Sequence, residues 1–85
     1  MKSRILKIEV LGSGCPKCEK LLELSQEVLK ELNLDLEIDY VKDIERMIAL
    51  GIMSTPALAI NDEAVLSGYL PTKDEIAELI KKYLN

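Results

Sequence analysis

The apolar positions of the chain change period several times, and each change marks an element. From Ile5 to Leu11 apolar residues alternate and a second face is also partly apolar, which predicts a strand covered largely on both sides. Gly12, Ser13 and Gly14 end it in a flexible turn. From Pro16 to about Asn33, Leu21, Leu22, Val28, Leu29 and Leu32 recur at helical spacing, with Lys17, Lys20, Glu23, Glu27, Lys30 and Glu31 on the other side. Pro16 suits the first helical position, where a missing N–H costs nothing. Asn33 suits the left-handed residue that closes a helix.

Leu36, Ile38 and Tyr40 alternate with Glu37 and Asp39, predicting a second strand with one wetter face. A helical crossover makes it parallel to the first. Asp43 is placed to cap a short helix with an apolar face of Ile44, Met47, Ile48 and Leu50, stopped by Gly51. Residues 57–60 and 64–66 flank Asn61-Asp62-Glu63 and read as an antiparallel hairpin closed by Gly68. Thr72 and Glu75 then form a capping box ahead of Ile76, Leu79, Ile80, Tyr83 and Leu84 on a final helix. The order β-α-β-α-β-β-α predicts a single α/β domain over residues 1–85 with a mixed four-stranded sheet and three helices.

The chain has 85 residues, 48% of them apolar, with three tyrosines as its only aromatic residues. The core is therefore expected to be aliphatic. A net charge of -4 with interspersed signs argues against a nucleic acid partner, which would need a basic face. No stretch approaches a membrane span, and the apolar positions after Met1-Lys2-Ser3-Arg4 are too interrupted for a signal peptide. The expected setting is the cytoplasm, where thiols are held reduced and structural disulfides are rare, and the expected state is a monomer. The absence of histidine removes imidazole as a base, a metal ligand and a switch near neutrality.

The two cysteines of the chain stand together in Gly14-Cys15-Pro16-Lys17-Cys18. At a helix start, unpaired backbone N–H groups and the positive end of the helix dipole favour a thiolate on Cys15. The thiolate is the nucleophile of disulfide exchange, and Lys17 and Lys20 add positive charge while Glu19 opposes it. Cys15 is therefore expected to attack, and Cys18, one turn inside the helix, to resolve the mixed disulfide. Two other readings stand beside this one: a pair of small core residues, and a two-thiolate site for Cu(I) or another soft metal. Zinc would lack ligands without carboxylates or a second chain.

Gly12-Ser13-Gly14-Cys15-Pro16-Lys17-Cys18 after the first strand, Gly51-Ile52-Met53-Ser54-Thr55-Pro56-Ala57-Leu58 before the hairpin and Gly68 after it together resemble the thioredoxin superfamily. The resemblance spans nearly the whole chain and is nearest to the small archaeal and bacterial glutaredoxin-like branch often labelled redox-active disulfide proteins. It implies a thioredoxin fold, a cis Thr55-Pro56 bond, and a substrate-docking element made of Thr55 and Pro56 with Gly14 and Gly68. Pro16 and Lys17 are the supporting residues within the motif. It further implies a thiol–disulfide oxidoreductase without a bound cofactor, acting on protein disulfides and recharged by a flavoenzyme of the thioredoxin reductase type. Read by itself, Pro56 simply starts a strand, where proline is tolerated.

Two positions depart from the family. Gly14 stands where thioredoxins usually carry Trp, so a substrate-facing ring is missing. Glu9 stands where they place a buried Asp, and it is expected either to accept a proton from Cys18 or to face solvent beside Lys7. The cost of burying an unpartnered charge favours solvent. Met47 and Met53 are read as packing, and Tyr69 either borders the substrate groove or is a partly buried strand-end tyrosine. The competing soft-metal carriers have a ferredoxin-like fold with a further strand where this chain has its last helix, and often Met where it has Ser13. A non-catalytic adaptor on the same fold would have thiols of ordinary pKa and no turnover.

Overall fold

The seven elements are β1 (Ile8–Leu11), α1 (Pro16–Glu31), β2 (Ile38–Val41), α2 (Ile44–Ala49), β3 (Ala57–Ile60), β4 (Glu63–Ser67) and α3 (Lys73–Lys81), in a computed structural model that describes residues 7–83. Ile5 and Leu84, expected in the first strand and last helix, lie outside the described residues. The sheet order is β2-β1-β3-β4. β1 pairs parallel with β2 and antiparallel with β3, and β3 pairs antiparallel with β4. This is the mixed four-stranded arrangement that the periodicities predict.

Local chemistry sets the boundaries. The Thr72 side chain accepts from the Glu75 N–H while the Glu75 carboxylate accepts from the Thr72 N–H, so the capping box is complete. Asp43 Oδ1 accepts from the Glu45 N–H at 3.0 Å to start α2. Asn33 (φ 57°) follows α1, and Gly51 (φ 76°) follows α2. The hairpin turn is tighter than expected: Ile60 pairs with Glu63, leaving two loop residues, Asn61 and Asp62, both at positive φ. Such a turn matches the twist of the flanking strands.

Strand alternation divides the core. Ile8, Val10, Leu58 and Ile60 pack with Leu21, Val28 and Leu29 of α1 and Ile76 and Ile80 of α3. Leu11, Ile52, Ala57 and Ala59 form a smaller cluster on the other face, under Met47 and Leu50. Burying a large aliphatic side chain is worth about 1.5–3 kcal/mol, so the first face, with its Leu, Ile and Val residues, carries most of the stability.

The α2 face departs from expectation. Ile44 and Ile48 are 69% and 70% exposed, while Met47 and Leu50 pack inward. The reason is Arg46, which turns toward the sheet because a buried carboxylate awaits it. Met53, read as packing, is 94% exposed. Tyr69 is half exposed.

Candidate active site

The C-terminal ends of β1, β2 and β4 and the N-terminal end of β3 lie at one edge of the sheet, because β1 runs with β2 and against β3, and β3 against β4. The residues following or preceding those ends therefore gather. They are the Gly12–Cys18 turn, Lys42, Thr55-Pro56 and Gly68.

The cysteine turn is built residue by residue. The buried Gly12 donates its N–H to Val41 O at 3.0 Å, extending the β1–β2 pairing past the strand. A Cβ at Gly12 would stand 2.5 Å from Cys18 Cβ, nearer still to its sulfur, and 3.4 Å from Tyr40 Oη. Glycine is required here by close approach. Gly14 is at φ 86° and donates its N–H to Tyr40 Oη at 3.0 Å. Cys15 is the N-cap of α1 and Pro16 opens the helix. Cys15 Sγ accepts from the Cys18 N–H at 3.3 Å, and the Cys15 carbonyl accepts from the Glu19 N–H at 3.0 Å.

Cys15 and Cys18 form a disulfide with their Cα atoms 5.2 Å apart. Cys18 is fully buried, whereas Cys15 is partly exposed and Pro16 and Lys17 are exposed. The first cysteine of the pair is thus the more accessible and the second is shielded. The N-cap position places the Cys15 sulfur against free N–H groups of the first turn, where a negative charge is favoured.

Across the sheet edge, Thr55-Pro56 is cis and Pro56 is buried. Leu11 pairs with Ala57, so continuing the register sets Pro56 opposite Gly12. Gly68, at φ 88°, donates its N–H to Pro56 O at 2.9 Å, and a Cβ there would meet Ser54 Oγ at 2.6 Å. Thr55, Pro56 and Gly68 thus stand together at the end of the sheet where β1 gives way to the cysteine turn.

Glu9 is not at the surface. It is 3% exposed and its carboxylate accepts from Arg46 Nε at 3.0 Å and Arg46 Nη2 at 2.8 Å. The paired fork supplies the partner whose absence argued for solvent. Arg46 also bonds Asp62 in the hairpin turn, and Lys7 pairs with Asp62 at 3.6 Å, not with Glu9. The bonds to Glu9, then to Asp62, hold the Arg46 guanidinium far above its ordinary pKa; Arg46 and then Lys7 hold the Asp62 carboxyl below its own. Alternation along β1 puts Glu9 with Leu11, on the α2 face, opposite the helix that carries Cys18.

Tyr40, Arg46 and Lys42 are the residues that sequence reasoning passed over. Tyr40 reads only as an apolar strand position, although the parallel register that pairs it with Val10 brings it to the turn. Lys42 Nζ lies 5.7 Å from the Tyr40 ring centre and would be 3.8 Å from a Cβ on Gly14. Arg46 is the one basic residue of α2, a signal that a carboxylate under that helix has a partner. Among the described residues no group of three or more Cys, Asp or Glu is arranged to hold a metal ion, and no helix is long and apolar enough to cross a membrane.

The chain matches the profile of the thioredoxin domain family over residues 6–81. It is 39% identical to a thioredoxin of Methanocaldococcus jannaschii, over 91% of this chain and 88% of that protein. A thioredoxin of Methanothermobacter thermautotrophicus is 30% identical over 89% of this chain and 99% of its own length. A second Methanocaldococcus jannaschii thioredoxin is 34% identical, over 93% and 96%.

Proposed function

Because the chain belongs to the thioredoxin family of thiol–disulfide oxidoreductases, we propose that it exchanges electrons with protein disulfides through the Cys15-Pro16-Lys17-Cys18 dithiol. The observation that carries this reading is the asymmetric pair, a partly exposed Cys15 at the N-cap of α1 bonded to a fully buried Cys18.

In the reducing direction the Cys15 thiolate attacks one sulfur of a substrate disulfide, and the other substrate sulfur leaves as a thiolate. Cys18, as thiolate, then attacks Cys15 Sγ. The Cys15–Cys18 bond forms, the Cys15–substrate bond breaks, and the second substrate sulfur leaves and takes up a proton. Two electrons pass from the dithiol to the substrate. The backbone of Thr55 offers strand-like pairing to an extended segment of the partner. Pro56, Gly68 and the bare Gly14 leave room for that segment beside the sulfurs. Pro16 and Lys17 shape and charge the first turn, and Glu9 supports the site at one remove by fastening α2 to β1. An upstream flavoenzyme reductase restores the dithiol. The reaction belongs to the cytoplasm, by one chain folded as one domain.

The reading is tested by trapping. A Cys18→Ser variant incubated with a peptide disulfide should accumulate a mixed disulfide on Cys15, seen by mass spectrometry after tryptic digestion. Accumulation on Cys18 in a Cys15→Ser variant instead would reverse the roles, and accumulation on neither would remove the proposed reaction.

A further inference from the structure

Cys18 must become a thiolate in order to resolve the mixed disulfide, yet it is fully buried, and burial disfavours charge. The acidic group of β1 is not in place to help, since Glu9 lies on the α2 face and its two oxygens are engaged by Arg46. On the α1 face, the polar side chain that shares the surroundings of Cys18 is Tyr40. Its ring packs in the main core, and its oxygen and the Cys18 sulfur both crowd the same side of Gly12. One lone pair of that oxygen is occupied by the Gly14 N–H. In the disulfide form the hydroxyl proton has no acceptor among the described residues.

We propose that Tyr40 is a positioning residue for the resolving step: its hydroxyl, anchored by the Gly14 N–H, donates to the Cys18 sulfur when that sulfur is a thiolate. This rests on the two-step exchange proposed above. A hydrogen bond made to the charged form favours that form, and a phenol already accepting one hydrogen bond is a better donor for the next. Gly12 is part of the device, because any larger residue would fill the space that the two groups share. The step remains the attack of the Cys18 thiolate on Cys15 Sγ. Tyr40 keeps its proton throughout; the Cys18 proton passes to solvent when the thiolate forms, and the departing substrate sulfur takes one up from solvent. Cys15 is the sulfur under attack, and Lys42 Nζ lies over the Tyr40 ring. Lys17 is exposed on the first turn, and Glu9 with Arg46 is across the sheet.

The test is a Tyr40→Phe variant, which keeps the ring and removes the hydroxyl. With the Cys15-linked mixed disulfide of a short peptide prepared in advance, the single-turnover rate of peptide release is followed against pH. Release should slow about tenfold near neutrality and its profile should move up by about one pH unit. Because the same hydroxyl also holds the Gly14 N–H, the diagnostic is the movement of the release profile along the pH axis and not the absolute rate. A release profile that does not move on the pH axis overturns the role of Tyr40 while leaving the exchange reaction intact. Failure of the wild-type protein to release the peptide would instead overturn the exchange reaction. A measurement on the unaltered chain guards against a variant that does not fold. The Tyr40 ¹³Cζ resonance of the reduced protein should titrate together with Cys18 ¹³Cβ, and independent titrations refute the contact.

Discussion

Replacing Gly12 by alanine perturbs the site at its tightest point. Its backbone is outside the left-handed region, so the cost is steric alone. The new methyl group would stand 2.5 Å from Cys18 Cβ and nearer to the sulfur, where non-bonded carbon atoms settle at about 3.5–4.0 Å. More than about 1 Å of movement is needed. Neither side yields easily, since Cys18 is fixed in α1 and Gly12 is bonded to Val41 O. Overpacking of this kind costs about 1–3 kcal/mol, and two anchored partners place Gly12→Ala near 3. A chain of 85 residues has about 4–13 kcal/mol of stability in all, and each kcal/mol moves Tm by about 4–8 °C. Urea denaturation followed by far-UV circular dichroism should therefore show a lower midpoint with an unchanged slope, and Tm should fall by about 12–24 °C. Gly14→Ala is the control. It has positive φ but its nearest neighbour, Lys42 Nζ, is at 3.8 Å, so only the backbone cost of about 1–2 kcal/mol applies. A loss at Gly12 below about 0.5 kcal/mol, or no greater than at Gly14, refutes the close approach of the turn to Cys18.

Three further outcomes follow from the same structure. Arg46→Met leaves Glu9 buried without a partner, so Tm should fall by about 10 °C or more, and a second change, Glu9→Leu, should recover most of it; a double variant no better than the single one contradicts the pairing. Asp62 has its pKa lowered from 3.8 by Arg46 and then Lys7, so its contribution is present above pH 3.8 and is lost as pH falls through the lower folded value. Asp62→Asn should flatten that acid limb of the stability curve, and an unaltered limb speaks against the contribution. Ser25 Oγ is buried without a hydrogen-bond partner among the described residues, so Ser25→Ala should leave stability unchanged or raise it by up to about 1 kcal/mol, and a loss beyond that in chemical denaturation reveals a partner.

Most of the framework was legible because it rests on local rules. Pro16, Asn33, Asp43, Gly51 and the Thr72–Glu75 box act within a turn of their own positions, so spacing alone locates them. Cys15 and Cys18 were legible for the same reason. What escaped depends on the register between distant segments. The pairing of Val10 with Tyr40 brings a hydroxyl to Gly14, and no periodicity marks that residue as more than an apolar strand position. The burial of Glu9 is not legible locally, because the partner that offsets its cost, Arg46, lies 37 residues away. Once Arg46 turns inward, Ile44 and Ile48 must turn out, which is why an apparent apolar face of α2 is exposed.

The central claim is most directly tested by equilibrating the metal-free protein in glutathione buffers of defined poise and following the Cys15–Cys18 disulfide by mass spectrometry. A reversible intramolecular disulfide with a potential within the roughly -180 to -270 mV of exchange catalysts is the predicted result. A dithiol that never closes across that range, or one that binds a single Cu(I) ion in preference to closing, would contradict it.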